Sequence, residues 1–481
     1  MGDLGDLLAV PPGARGLRVR SVTADSRAAA EGALFVAIPG RHRDGRRYIA
    51  DAVARGAAAV LAPVGTAWPP GVPPRPLIEA EEPRLRLAQI AARLAGPPPP
   101  VLAAVTGTNG KTSTVDFLRQ IWTLAALPAA SLGTLGVISP RGIQAGAMTT
   151  PDPVTLCETL ARLAREGVGR AALEASSHGL DQFRLDGLRF TAAGFTNLTR
   201  DHLDYHGDLD AYRAAKLRLF SNLLAAGGTA VASTALDEAS LSALRDVLAR
   251  RGIRLLMVGD GGDAVRLLRA DPLPDGQALV VQADGRRHEI AVKLPGRFQA
   301  DNALVAAALA QATGVADPWA LLPKLRGVRG RMELAATLPN GACAYVDYAH
   351  TPDALQRLLT ALRPHTRGRL VVVFGAGGDR DPGKRPLMGA ACAGLADLCI
   401  VTDDNPRSES PAAIRAAVLA GCPGGVDGGE RAAAIARGLE ALGPGDVLAV
   451  AGKGHEQGQT IGGATLPFDD VQTVRHLAGL G

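Results

Sequence analysis

Apolar positions along this chain fall into two patterns. Short runs at 101–105, 169–173 (broken only by Arg170), 192–195, 370–374, 398–401 and 447–451 are bounded by glycine, proline or polar clusters, which predicts buried strands. An earlier run at 33–38 reads the same way. Between them, helical spacing is predicted at 49–55, 83–94, from 113 onward, 154–166 and 209–223, with an alanine-rich helix opening near 296–302. Strand–helix alternation of this kind implies parallel sheets with helices on both faces, and ligands bound at the carboxyl ends of the strands. Gly96 and the four prolines at 97–100 form a stiff spacer, and Gly330-Arg331-Met332-Glu333 marks a second break. The expected organisation is three domains, 1–97, 98–329 and 330–481: a small α/β domain, a central parallel-sheet domain, and a Rossmann-like α/β domain. The uncharged stretch 120–139 contains Pro128, Gly133 and Gly136, so it reads as a helix end plus a strand and not as a membrane span.

Composition narrows the class. A chain of 481 residues is too long for one core. A net charge of +5 with no long basic run, and aromatics at only 4%, excludes a nucleic-acid partner and suits anionic small molecules. Cys157, Cys343, Cys392, Cys399 and Cys422 are scattered, with no C-x-x-C pair, which fits a reduced compartment and supports neither a disulfide framework nor a zinc site. Asp3 and Asp6 interrupt any secretory pattern. A cytoplasmic monomer without membrane insertion is expected.

The run 101–105 leads into Thr106-Gly107-Thr108-Asn109-Gly110-Lys111-Thr112 and then a helix. Strand, glycine turn, helix is the arrangement whose backbone N–H groups cradle phosphates. Lys111 would reach the β,γ-phosphates and the Thr112 hydroxyl a magnesium ion, although the strict G-x-x-x-x-G-K-[ST] pattern fails at Val105. The loop therefore predicts a nucleoside triphosphate, ATP, and not GTP, because no Asn-Lys-x-Asp run is present. Glu174 at a strand end can hold magnesium, and His202 stands in a comparable place. A zinc pair of His202 and His206 lacks a third ligand at usual spacing. Lys216 lies in the middle of an apolar arc with Leu209, Tyr212, Leu219 and Phe220: it either snorkels to water or points inward with a task.

Four strand ends in the last domain carry polar clusters, at 347–350, 375–381, 402–407 and 452–456, and these are expected to share one cleft lip. Kinase, motor, switch and ligase remain open for a loop of this kind. A ligase needs ATP to activate a carboxylate, metal to offset phosphate charge, and an amine site. Arg380, Arg407 and Glu456 suit an amino acid, since arginines fork onto carboxylates and a glutamate binds an ammonium.

Together these motifs resemble the Mur ligases over essentially the whole chain. The loop at 106–112, Glu-Ala-Ser-Ser-His-Gly-Leu at 174–180, Asp-His-Leu-Asp-Tyr-His-Gly at 201–207, Asp-Tyr-Ala-His-Thr-Pro at 347–352 and Gly-Lys-Gly-His-Glu at 452–456 carry the likeness. The resemblance implies an N-terminal domain for a UDP-linked substrate, a central ATP domain and a C-terminal amino-acid domain. It implies an ADP-forming ligase that joins meso-diaminopimelate to the D-glutamate γ-carboxylate of UDP-MurNAc-L-Ala-D-Glu for peptidoglycan. Thr112, Glu174, His202 and Lys216 match metal positions, Lys216 as a carbamate, and with Lys111 they form the catalytic set. Asn302, Arg331, Asp347 and His350 match nucleotide contacts beside Thr106, Gly107, Thr108, Asn109 and Gly110. Ser26, Thr149, Thr150, Ser176, Gln182 and Arg184 match contacts to the UDP substrate. Arg380, Asp404, Asn405, Pro406, Arg407, Gly452 and Glu456 match the amino-acid site, with Arg407 reading the distal carboxylate that lysine lacks. Met148 and Arg41-His42-Arg43 depart from the family pattern around the UDP substrate. The rival readings are a lysine-adding or folylpolyglutamate-type relative, against which Asp404-Asn405-Pro406-Arg407 stands, and a silent scaffold, against which the intact Lys111, Glu174, His202 and Lys216 stand.

Overall fold

Runs that are apolar on both faces need cover on both sides, and the strands they form lie in the interior of two large sheets. The computed structural model describes residues 2–7, 15–40, 43–146 and 148–480. Arg41 and His42 lie outside the described residues. The chain divides into two compact units, Met1–Val258 with Val305–Ala316, and Gly259–Leu304 with Asp317–Gly481.

The first unit opens with a four-stranded parallel sheet, Ser21–Thr23, Ala33–Val36, Ala57–Pro63 and Leu77–Ala80 in that order. Helices Ile49–Ala54 and Pro83–Ala95 pack against it. In the larger sheet the strand Val101–Thr106 is central, with Arg170–Glu174 on one side and Phe190–Phe195 on the other, both parallel to it. Ala129–Gly133 extends the sheet beyond Arg170–Glu174, and Leu224–Ser233 then Arg254–Gly259 extend it beyond Phe190–Phe195. Glu174 and Gly194 both pair with Val105, so the loop after Thr106, the Glu174 side chain and the segment after Phe195 emerge at one edge.

Three sequence expectations change here. The sheet is not purely parallel, because Ala129–Gly133, Gly136–Ser139 and Gly142–Gln144 form an antiparallel meander where only one strand was expected. The helix after the phosphate loop starts at Lys111 and runs to Leu124, because Gly110 takes the left-handed conformation (φ 85°) and lets the turn close directly. The helix expected over 209–223 is α only over Leu209–Arg218 and continues as a π turn, Leu219–Leu223. The wider turn keeps Leu219, Phe220, Leu223 and Leu224 all buried, and Phe220 stacks on Phe195 at 5.8 Å. Leu209, expected on the same apolar arc, is exposed.

The second unit contains three consecutive antiparallel strands, Val265–Leu273, Gly276–Ala283 and Arg286–Val292, again where strand–helix alternation had been expected. Its six-stranded sheet runs Glu333–Thr337, Cys343–Asp347, Val447–Ala451, Leu370–Phe374, Leu398–Thr402, Val426–Gly429, with only the first pair antiparallel. Alternate residues of these strands feed two cores. Tyr345, Val372, Phe374, Val401 and Ala449 pack on helices Pro352–Leu362, Lys384–Ala393 and Pro411–Leu419, while Val346, Val373, Ile400, Leu448 and Val450 pack on Arg431–Glu440 and Asp470–Leu477. Cover on both faces is the reason the strands read as continuous apolar runs. The strands ending at Asp347, Ala451, Phe374 and Thr402 are consecutive and parallel, so their polar clusters occupy one edge.

Candidate active site

The phosphate loop is held from its neighbouring strand. Thr108 N–H donates to the Asn197 carbonyl (2.9 Å), Asn109 N–H to Asn197 Oδ1 (3.0 Å), and the Thr196 hydroxyl to the Asn109 carbonyl (2.6 Å). Gly107 has φ 148°, and a Cβ there would lie 2.0 Å from Thr196 Oγ1, so no side chain fits. Thr196 and Asn197, which the sequence reading gave no role, are the clamp. Lys111 Nζ donates to the carbonyls of Gly107 and Thr108, both at 2.9 Å, which folds the lysine over its own loop.

Glu174 is buried and accepts from Thr112 Oγ1 (3.0 Å), Thr134 N–H (2.7 Å) and the Thr134 hydroxyl (3.4 Å). Among the described residues no basic side chain pairs with it. A buried carboxylate bound only by neutral donors next to a phosphate loop is a fitting ligand for a divalent cation. Gly133 makes room for it, since a Cβ there would stand 2.0 Å from Glu174 Oε1. Thr134 was missed: its position after an apolar strand carries no chemical signature until the sheet sets it beside Glu174.

Lys216 points inward, and the snorkelling alternative fails. The residue is 1% exposed, its Nζ donates to the Gly107 carbonyl at 2.8 Å, and it lies 4.4 Å from the centre of the Tyr212 ring. Burial, and then the charge of Lys111, hold this amine well below the usual lysine range. The Tyr212 hydroxyl shares a hydrogen bond with Thr108 (3.2 Å). His202 is half exposed with φ 53° and lies beside Asp201 (3.5 Å). Its ring and that of His206 flank His178, at 5.0 and 5.6 Å between centroids. Among the described residues no group of three or more His, Cys, Asp or Glu side chains is placed to hold a metal ion.

Five of the six residues matched to the UDP substrate come together. The Thr150 hydroxyl bonds Ser176 Oγ (2.9 Å), and Thr149 Oγ1 bonds Thr134 Oγ1 (3.1 Å). Arg184 donates to the Thr150 carbonyl (2.6 Å), to Gln182 Oε1 (2.7 Å) and to Met148 Sδ (3.4 Å). These acceptors are neutral, and burial lowers the arginine's pKa against the pull of the Asp152 carboxylate, so the guanidinium is suited to a bound anion. Ser26 stands apart, in the short 3-10 helix Ser26–Ala28 that follows the first strand of the N-terminal sheet, where its hydroxyl bonds Asp51.

At the edge of the six-stranded sheet, Asp347 accepts from the N–H groups of Met332 and Ala349, each at 2.8 Å, and burial pushes its carboxyl up against the pull of Arg331. Arg331 lies over the Tyr348 ring at 4.9 Å, and His350 Nδ1 bonds the Tyr348 carbonyl at 2.7 Å. Asn302 is buried beside Gln299 in the helix Arg297–Ala312.

Arg407 has φ 53°, its N–H donates to the Thr460 carbonyl (3.0 Å), and its guanidinium donates to the Gly378 carbonyl (2.5 Å). No carboxylate pairs with it among the described residues. A Cβ at Gly377 would lie 2.9 Å from Arg407 and 3.7 Å from Arg380, so both arginines adjoin that glycine, Arg380 the more exposed. Asp404 is buried, with Oδ2 lacking a hydrogen-bond partner; burial raises its pKa, opposed by Arg431 and Lys453. Pro406 is buried between Asn405 and Arg407. Gly452 adjoins the Asp404 carboxylate, 2.4 Å from where its own Cβ would be. Beneath this edge lies a side chain given no role in the sequence reading. Lys453, completely buried, donates to Asn405 Oδ1 (3.0 Å) and Glu456 Oε2 (3.2 Å).

A largely parallel sheet with a phosphate-type loop after its central strand, in a chain that has two further α/β sheets, defines the class as a multidomain P-loop fold. Three family models match in succession: the Mur ligase family catalytic domain over residues 18–96, the Mur ligase middle domain over 105–310, and the Mur ligase glutamate ligase domain over 330–454. The chain belongs to the Mur ligase family. It is 51% identical over 471 residues to the UDP-N-acetylmuramoyl-L-alanyl-D-glutamate–2,6-diaminopimelate ligase of Caulobacter vibrioides, covering 96% of both chains. It is 50% identical over 477 residues to the protein of the same name from Agrobacterium fabrum, covering 98% of this chain and 95% of that one. A solved structure of a ligase of that name superposes with a TM-score of 0.74 at 31% identity over 99% of each chain. A folylpolyglutamate synthase from Mycobacterium tuberculosis, 19% identical over 76% of this chain and 91% of its own, shares the fold with a TM-score of 0.62.

Proposed function

We propose that this chain is an ADP-forming ligase that adds meso-2,6-diaminopimelate to the D-glutamate γ-carboxylate of UDP-N-acetylmuramoyl-L-Ala-D-Glu, a step of peptidoglycan precursor synthesis. What carries the reading is near-full-length identity of about half to relatives of that name, 51% in one case. A γ-carboxylate oxygen attacks the γ-phosphorus of ATP and ADP leaves. The amine of diaminopimelate attacks the resulting acyl phosphate, the tetrahedral adduct expels phosphate, and the amine proton passes to solvent. Lys111 and the N–H groups of the 107–110 loop bind the phosphates, and Arg184 binds an anionic group of the UDP substrate. Thr112, Glu174, His202 and a carbamate on Lys216 would hold magnesium, which when bound offsets the charge on the transferring phosphoryl group. Lys216 fits this role: a buried amine kept neutral can take up carbon dioxide, releasing a proton and gaining an anion. Asn302, Arg331, Asp347 and His350 are assigned to the nucleotide, Ser26 with Thr149, Thr150, Ser176 and Gln182 to the UDP substrate.

Diaminopimelate is lysine with a second carboxylate at its far end, and Arg407 is assigned to that carboxylate. Its guanidinium donates to a neutral carbonyl, and among the described residues no carboxylate lies within ion-pair distance, the nearby Asp379 acting only through its charge, so lysine would offer it no carboxylate to fork onto. Arg380, Asp404, Asn405, Gly452 and Glu456 take the other end. The domain roles follow the boundaries 1–97, 98–329 and 330–481. No helix of the described residues is long and apolar enough to cross a membrane, and a cytoplasmic monomer is the expectation, checked by sedimentation. Phosphate release measured with ATP and UDP-MurNAc-L-Ala-D-Glu should require diaminopimelate and be weak with L-lysine. Equal rates with both amino acids, or release that ignores the UDP substrate, would contradict the assignment.

A further inference from the structure

The Lys453 ammonium sits where a charge costs most and where packing needs none. It is fully buried, at the end of the strand Val447–Ala451, and closes a three-membered ring of hydrogen bonds. Lys453 Nζ donates to Asn405 Oδ1 at 3.0 Å and to Glu456 Oε2 at 3.2 Å, and Asn405 Nδ2 donates to the same Glu456 oxygen at 3.0 Å. Thr460 N–H also donates to Asn405 Oδ1, at 2.9 Å. Two donors on one oxygen fix which way the asparagine amide faces: Oδ1 toward the lysine, Nδ2 toward the glutamate. The charge pair is one-sided, with the Lys453 side chain at 0% exposure and Glu456 at 35%. The buried cation thus holds a carboxylate that still reaches the surface of the proposed amino-acid site.

A buried lysine–carboxylate pair adds little to stability over a well-packed apolar residue, because desolvation offsets the attraction; its better-attested use is to fix one geometry. Resting on the function proposed above, we propose that Lys453 is a positioning residue for the amino-acid substrate. It orients the Asn405 amide and the Glu456 carboxylate as one unit and touches no substrate atom itself. Without it, Asn405 keeps only the Thr460 N–H as a donor to Oδ1, and Glu456 loses the cation that holds its carboxylate against the loop.

The test is steady-state kinetics of the full-length Lys453→Met protein. Its KM for diaminopimelate should rise at least about tenfold, the loss of one charge-assisted contact, while the KM values for ATP and the UDP substrate stay within about twofold and the melting temperature stays near wild type. Lys453→Gln, which retains an N–H for Asn405 Oδ1 without the charge, should recover part of the loss, and it carries the same test should the methionine protein fail to fold. The double variant Lys453→Met/Glu456→Gln should be no worse than the more damaged single variant, because both act through one unit. Parallel rises in all three KM values, an unchanged KM for diaminopimelate, or losses that multiply in the double variant would overturn the proposal. If instead the wild-type protein shows no diaminopimelate-dependent turnover, the functional reading fails and not the role of Lys453 within it.

Discussion

The phosphate loop of the central sheet and the polar edge of the C-terminal sheet occupy equivalent positions, the carboxyl ends of parallel strands, but they are held in different ways. The loop is fixed by carbonyls, N–H groups and hydroxyls from the next strand, with Lys111 and Lys216 both donating to the Gly107 carbonyl. The C-terminal edge is fixed by buried charge. Arg431 and Asp470, both buried, form a two-bond pair of 2.7 Å each, Arg431 also donates to the Ala451 carbonyl, and Lys453 joins Asn405 to Glu456. A phosphate needs a ring of N–H donors, which the backbone supplies without side-chain charge. An amino acid carries charges of both signs at set spacing, and reading them takes fixed side-chain charges whose partners stay put.

Breaking the loop side should cost most. Lys216→Ala removes the amine assigned to the carbamate, and a loss on the order of 10²–10³ in kcat is expected for one group that stabilises transferring charge. Added short-chain carboxylates should restore part of the rate by supplying the missing anion. Full activity in Lys216→Ala, or no response to any carboxylate, removes the carbamate from the account.

On the C-terminal side, Arg407→Ala should raise the KM for diaminopimelate while leaving that for ATP near wild type. A charge-assisted pair contributes about 1.5–3 kcal/mol, which is roughly tenfold to a hundredfold. Lysine activity need not appear, since no new contact to lysine is made. Equal damage to both constants would show that Arg407 shapes the domain and does not read the distal carboxylate.

The smallest effect is one of acid stability. Burial lowers the His455 pKa from 6.5 to about 4, so the folded protein holds this ring neutral where the unfolded chain would protonate it. The stabilisation is therefore complete above 6.5 and is lost as pH falls toward 4. A His455→Asn protein should show a shallower decline of melting temperature across that window than wild type; identical acid limbs would mean that His455 is not what titrates.

The loop side was largely legible because its parts are contiguous. Strand, glycines, Lys111 and Thr112 stand in one stretch, and Glu174 announces itself at the end of an apolar run. Lys216 was legible only as an anomaly, since a lysine on an apolar arc can snorkel or turn inward and the pattern is the same. The C-terminal edge was legible as four polar clusters, and the sheet order makes them neighbours. Its internal wiring was not. Arg431 and Asp470 are 39 residues apart, and Lys453 between two glycines looks like a surface lysine until the strand end buries it. The antiparallel strands Val265–Leu273 and Arg286–Val292 were also missed, because their exposed arginines break the apolar runs that marked the parallel strands.

On the proposed function the work is divided: the phosphate-loop side makes the acyl phosphate, and the C-terminal edge binds the amine donor. Positional isotope exchange tests this directly. ATP labelled at the β,γ-bridge oxygen is incubated with UDP-MurNAc-L-Ala-D-Glu and no amino acid, and migration of the label to a non-bridge β-position reports reversible acyl phosphate formation. Wild type and Arg407→Ala should scramble the label at the same rate, and Lys111→Ala should not scramble it. No exchange in wild type without diaminopimelate, or exchange lost in Arg407→Ala as fully as in Lys111→Ala, would contradict the account.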